Sequence, residues 1–315
     1  MRWSAEPAAG VARPTPMGRI ARTLLPAAVS LSITLGACAG PGSSIGPIAH
    51  PTGDDLVLRI HHSGGLAGPI LDFIDFPPFT LSGDGRVIVP GAQMEIFPRP
   101  ALPTVNARRL TEAGIQAVLN EVARTGLFGT SVEFRGAQNC VMDAGDTVFT
   151  LHADGNEVTV AVFGLGTLDL TAGCPGVGAN EIAAHQALMR LRDRLTTLES
   201  WLPASAWAET ASRQYQPEAI RLVVRNADAD PPDGSGIGNP LLDWPDDSDP
   251  ATFGDPGPFE GQRCGVVRGE PAQDWHVALS NANQLTRFVK DGHRYEVTVR
   301  LMLPDEPQEC PRLPA

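Results

Sequence analysis

Short runs rich in apolar and β-branched residues, some alternating with polar ones, are spaced along this chain. Leu56-Val-Leu-Arg-Ile60 opens the first such stretch and predicts a strand. Phe79-Thr-Leu-Ser82 alternates and Val87-Ile-Val89 is apolar, and Asp84-Gly85 between them predicts a hairpin because Asp-Gly supplies the positive φ of a tight turn. The arrangement recurs at Val148 to Val160 around Asp154-Gly155 and at Arg287 to Leu301 around Asp291-Gly292. In the last hairpin Tyr295, Val297, Val299 and Leu301 alternate with Glu296, Thr298 and Arg300, so one face of that sheet is expected to be wet. Ile220 to Val224 and Cys264 to Val267 read as further strands.

Three segments change to the helical period. Thr111 can cap a helix, Glu112 suits the positive end of its dipole, and Gly126 can stop it in the left-handed region. Within it Ile115, Val118, Leu119 and Val122 share one face. A longer helix is predicted over Asn180 to Trp201, with Leu188, Leu191, Leu195, Leu198 and Leu202 as its buried stripe and Arg190, Arg192, Asp193, Arg194 and Glu199 mostly on the solvated side. A third is predicted near Ala272 to Leu285, where Trp275, Ala278, Leu279 and Ala282 fall on one face.

Hairpins imply antiparallel pairing, so the expected class is α+β: two small units of antiparallel hairpins, each with helices packed on one face. The first unit is expected over residues 54–204 and the second over 217–312, with a linker at 205–216. Residues 226–261 lack periodicity and are dense in Pro, Gly and Asp, so they read as one long irregular loop of the second unit. Residues 38–53 are rich in Gly, Pro and Ser and read as a flexible tether.

Leu24 to Leu35 is an apolar run of about a dozen residues preceded by Arg19 and Arg22 and followed by Gly36-Ala37-Cys38. It is too short for a membrane span, which needs about 20 residues, and Pro26 interrupts it. Leu35-Gly36-Ala37-Cys38 resembles the lipobox of bacterial lipoproteins. That resemblance implies a signal peptide over residues 1–37, removed by signal peptidase II, and a diacylglyceryl group on Cys38. It also implies attachment to the cell membrane outside the cytoplasm.

Charge changes this picture in one respect. The chain carries −12, and because residues 1–37 hold four arginines against Glu6, the remainder carries about −15. So acidic a body is a poor partner for nucleic acid or for a bare anionic bilayer. A lipid anchor would have to hold it at the membrane against that repulsion. An apolar content of 42% supports a core, and 29 prolines imply many irregular connections.

Five cysteines are present. Setting Cys38 aside leaves Cys140, Cys174, Cys264 and Cys310, an even set that suggests two disulfides in an exported protein. Four cysteines allow three pairings. The local one, Cys140 with Cys174 and Cys264 with Cys310, respects the expected division into units. No Cys-x-x-Cys spacing favours a metal site.

Candidate chemistry is sparse. Gly42-Ser43-Ser44-Ile45-Gly46 matches G-x-S-x-G in form, but it follows Cys38 closely and lacks the strand–turn–helix context that the nucleophile motif needs. His61 and His62 are strand neighbours that point to opposite faces, and His152 and His185 are isolated. Asp228, Asp230 and Asp233 resemble the start of a calcium loop, although Asp233 comes one residue late and Pro231-Pro232 stiffen the segment. Asp243, Asp246, Asp247 and Asp249 follow in the same loop. Asp143 and Asp146 could cap a turn or pair as carboxylates. Gly234-Ser-Gly236-Ile-Gly238 has Asn239 where a dinucleotide fingerprint needs its third glycine. Trp201 and Trp207 flank the expected linker and Trp244 lies in the long loop, where aromatic residues either pack a loop down or form a binding face.

The body, with LSGDGRVIV, RRLTEAGIQAVL and the closing LMLPDE before its last cysteine, is similar to uncharacterised lipoproteins of GC-rich bacteria, a likeness that carries no activity. The expected role is therefore a membrane-anchored, non-catalytic binding or interaction module with an unknown protein or small-molecule partner and no cofactor. The alternatives are a secreted hydrolase with a dispersed site and a solute-binding lipoprotein. The latter class is built on repeated βα alternation, which this chain lacks.

Overall fold

The computed structural model describes residues 46–65, 70–167, 173–231, 236 and 238–311. Two sheets organise them. The first has eight strands in the order β5-β7-β6-β1-β2-β3-β4-β8. In chain order these are β1 (Leu56–Ser63), β2 (Phe79–Ser82), β3 (Arg86–Pro90), β4 (Val105–Arg109), β5 (Val132–Phe134), β6 (Asp146–Ala153), β7 (Asn156–Phe163) and β8 (Arg213–Gln214). The Asp84-Gly85 and Asp154-Gly155 turns close the expected hairpins, with Gly85 and Gly155 at φ 81° and 72°. Pairing is antiparallel except between β5 and β7, which run parallel.

Two helices cover one face of this sheet. In α2 (Glu112–Ala123) the Thr111 side chain accepts the Gly114 N–H, as its sequence signature predicts. In α3 (Ala179–Thr196) the helix stops five residues short of the expected end, and Leu198–Ser200 continues as a 3-10 turn. The leucine stripe from Leu188 to Leu202 is buried throughout, against Ile115, Val118, Leu119, Val122 and the apolar side of the sheet. Alternation in β3 divides two cores: Val87 and Val89 pack with the helices, whereas Ile88 between them packs into the second cluster.

The second sheet has six strands in the order β10-β13-β14-β9-β12-β11. They are β9 (Ala219–Asn226), β10 (Leu241–Asp243), β11 (Asp255–Pro256), β12 (Gln262–Arg268), β13 (Arg287–Lys290) and β14 (His293–Leu301). The Asp291-Gly292 turn joins β13 and β14, and β10 pairs with β13 in parallel. On one face lies α4 (Glu270–Ser280), which begins two residues before the predicted start and ends five before the predicted end. Its Trp275 is fully buried among Trp244, Phe288 and the start of β9.

The class is α+β, with four departures from the expected arrangement. First, residues 205–216 are not a free linker. Ala204–Ala206 forms a 3-10 turn whose Ala206 carbonyl accepts the Thr111 N–H, β8 pairs with β4, and Tyr215 is buried with its hydroxyl donating to the Met302 carbonyl. Ile88 and Val105 of the first sheet share a core with the second, and the described residues form one compact unit. Second, residues 226–261 are not wholly irregular: they contain β10 and β11, and Trp244 and Phe253 enter the core.

Third, the predicted tether is docked from Ile48 onward. Ile48 exchanges backbone hydrogen bonds with the Gln116 side-chain amide, Ala49 pairs with Asp154, and His50 contacts Glu112 at 3.2 Å. A Cβ at Gly83 would collide with the Pro51 carbonyl, so glycine is required there for the segment to lie down. This matching of polar partners outweighs a composition that on its own favours a flexible chain. Gly42 to Ile45, the greater part of the G-x-S-x-G match, lies outside the described residues.

Fourth, the second sheet's other face is wet only in part: Arg225 and Glu296 are each about one-third exposed, but the other end of that face is covered. Arg221 of β9 and Arg300 of β14 stand directly opposite each other and are both buried. Above them lie α1 (Ile70–Ile74), with Phe73 buried, and the closing segment Met302–Cys310.

Candidate functional site

The cysteines of the sequence analysis form two bridges. Cys140 joins Cys174 across 34 residues and Cys264 joins Cys310 across 46. Cys38 lies outside the described residues.

The aspartates proposed as calcium ligands are engaged otherwise. Asp228 accepts the Arg294 backbone N–H and contacts His293 at 2.7 Å, and these hold its carboxyl down at about 2. Asp230 takes two hydrogen bonds from Arg225, at 2.7 and 2.8 Å, with Arg287 behind, and is lowered by that pairing. Guanidinium and imidazole partners fill the positions a cation would take. Asp233 lies outside the described residues. No group of three metal-ligating side chains occurs among the described residues.

Asp246 has a structural task. Burial pushes its carboxyl up, but hydrogen bonds from Ser248 and from the indoles of Trp275 and Trp244 outweigh that and leave it lowered. The indole nitrogens stand at 2.7 and 3.0 Å. One carboxylate thus satisfies two buried tryptophans, and Trp244 is an anchor for its loop rather than a binding face. Asp146 pairs with Arg135 at 2.6 Å, and Asp143 sits at a positive φ of 63° in a bend. Burial lowers the buried His185, against a smaller opposing effect of Glu181. The remaining histidines come together in no catalytic set: His50 and His152 both line a shallow recess beside the docked segment, each against a glutamate.

A concavity of about 960 Å³ lies at the head of α4. Gly269, at φ 61°, turns the chain from β12 into that helix and has no side chain to cap it. Gln216, Glu218, Arg268, Gln273, His276 and Gln308 supply the polar lining, and Val277 stands exposed at the lip. Both walls come from irregular chain: the segment entering β9 on one side, and Pro304 to Gln308 on the other.

The wall formed by the closing segment is fastened by charges that sequence reasoning did not single out. Glu306 accepts both terminal nitrogens of Arg300 at 2.6 Å and the Leu303 N–H at 3.0 Å. Asp305 pairs with Arg59 of β1 at 2.5 Å. Burial pushes the Glu306 carboxyl up, but Arg300, the Leu303 N–H and Arg59 together bring it below its ordinary value. Arg221 is drawn down to about 10 by burial and by the Arg300 charge, and its guanidinium reaches the carbonyls of Phe73 and Glu309. Arg268 grips Gln308 through both the side chain and the backbone carbonyl. The one readable signal was Arg221, an arginine within the otherwise apolar run Ala219 to Val224; Arg300 fell on the polar side of an alternating strand, and the pairing of β9 with β14 sets the two opposite each other.

No family model, curated protein or solved structure matches the chain.

Proposed function

We propose that this protein is an exported, lipid-anchored binding module whose ligand enters the groove at the head of α4. The groove's lining carries the reading. It holds amides, one arginine, one histidine and a single carboxylate, Glu218, and no serine, threonine or cysteine. Acyl transfer through a protein nucleophile needs a hydroxyl or thiol beside a base, and glycoside hydrolysis commonly needs two facing carboxylates. Three glutamine side chains and Arg268 instead offer donors and acceptors for a polar, hydrogen-bonding ligand. The two disulfides fit an oxidising compartment outside the cytoplasm, and the Leu35-to-Cys38 signature fits acylation at Cys38.

A photo-crosslinking residue at Val277, on the groove's lip, tests this in intact cells. The expected result is a discrete adduct that is absent when the crosslinker stands at Glu157, on the first sheet. Equal, diffuse labelling from both positions would contradict a groove-centred binding role.

A further inference from the structure

A further concavity, of about 310 Å³, lies between the C-terminal end of α2 and the middle of α3. Its polar lining is Glu121, Arg124 and Thr125 from α2 and its exit, and Arg190 and Arg194 from α3. Three guanidinium groups meet one carboxylate. Glu121 contacts Arg124 at 2.7 Å and Arg194 at 2.6 Å, so a single negative charge is shared between two positive ones. Arg190 stands one helical turn from Arg194, is exposed, and has no hydrogen-bond or ion-pair partner among the described residues. The α2 carbonyl end adds a partial negative charge, and Asp193 is committed to Arg192 at 2.9 Å. The balance at this groove stays positive on a chain whose net charge is −12.

Arg194 is also held in place. Its guanidinium stacks 4.2 Å from the Trp201 ring, and the Trp201 indole donates to the Arg194 carbonyl at 2.8 Å. A stacked, carboxylate-oriented arginine loses little freedom when it binds an anion.

We infer that this groove binds a phosphate group, with Arg190 and Arg124 closing on its oxygens beside the fixed Arg194. Planar guanidinium forks match phosphate oxygens in pairs, and three of them suit a multiply charged tetrahedral anion better than a single carboxylate. The phosphate can belong to a lipid headgroup or to a soluble molecule. The docked segment brings the first within reach: Ile48 bonds to Gln116, which lies ~12 Å along α2 from Arg124, and the ten residues from Cys38 to Ile48 span at most ~35 Å. A headgroup contact here would seat an otherwise acidic body on a membrane. The phosphate site itself does not depend on the α4 groove or on the acylation of Cys38; only the reach to a headgroup rests on that acylation.

The test compares the protein with its Arg190→Ala form in two arms. Arg190 has no partner to lose, so its removal is expected to leave the melting temperature unchanged. In the first arm, calorimetric titration with inorganic phosphate at constant ionic strength should give saturable binding that the substitution weakens about tenfold. In the second, vesicles of phosphatidylglycerol in galactolipid should retain the protein beyond galactolipid alone, and the substitution should remove the difference. Phosphate binding without the vesicle effect supports the site and assigns it a soluble ligand. The vesicle effect supports it and assigns a headgroup. A null result in both arms, or responses that Arg190→Ala leaves unchanged, would overturn the proposal.

Discussion

Replacing Glu306 by glutamine is expected to lower the unfolding free energy by about 3–5 kcal/mol. The carboxylate is bonded twice to Arg300, whose side chain is only 7% exposed, and Arg300 faces Arg221 across two paired strands. Like charges directly opposite in a sheet repel, and burial leaves no water to screen them. Glu306 supplies the compensating charge, so its loss strands a buried guanidinium. The pH dependence has a definite sign. The folded-state pKa of Glu306 lies below its unfolded value. Its contribution is therefore fully present above the unfolded pKa of about 4.3, and is lost as pH falls through the folded one. Urea unfolding at pH 7 and near pH 4 should show a large gap between protein and Glu306→Gln form at neutral pH, and a smaller one in acid. An equal gap at both would mean that Glu306 acts through packing and not through its charge.

The second large effect is expected from the Cys264–Cys310 bridge. Cys264 is fully buried in β12, and Cys310 ends the segment that crosses over Arg221 and Arg300. In the loop-entropy account a closed loop of this size contributes about 4 kcal/mol. The double change Cys264→Ala with Cys310→Ala should cost about that much. It should also raise hydrogen exchange in residues 302–310, whose Pro304 and Gln308 line the α4 groove. The matching change at Cys140 and Cys174 should leave exchange in that wall unaltered. Because Glu306 and Cys310 fasten the same segment, the two sets of substitutions should not add: once one fastening is gone, the second has less ordered structure to hold. Full additivity would show that the two restraints act independently.

Hairpins and helices were legible because their signals are local. Asp-Gly turns between alternating runs, a threonine cap three residues before Gly114, and leucines at helical spacing each lie within about 20 residues of chain. The bridge partners were legible because each lies close along the chain and within its own sheet region. What stayed hidden is non-local. The charge cluster under the closing segment joins Arg59, Arg221, Arg300, Asp305 and Glu306, and no sequence period links residues so far apart. Alternation predicted that Arg300 would face water, but α1 and residues 302–310 cover it, a contact that no local pattern announces. Docking of Ile48 to Gly53 was hidden for a related reason: Pro, Gly and Ser describe a chain without its own structure, not one without partners. The groove at α4 is lined by three separated segments, and the arginine groove draws on two helices about 70 residues apart. Neither could be assembled from spacing alone.

Intact mass of the native protein, isolated from membranes of its own cells without reduction, tests the central claim most directly. The account predicts a chain beginning at Cys38, heavier than its residues by a diacylglyceryl group, and lighter by four hydrogens for two disulfides. Peptide mapping should place the lipid on Cys38, and Cys38→Ser should remove it together with membrane retention. A chain with an unmodified Cys38, or a Cys38→Ser form held at the membrane as before, would contradict the account of an exported, lipid-anchored module.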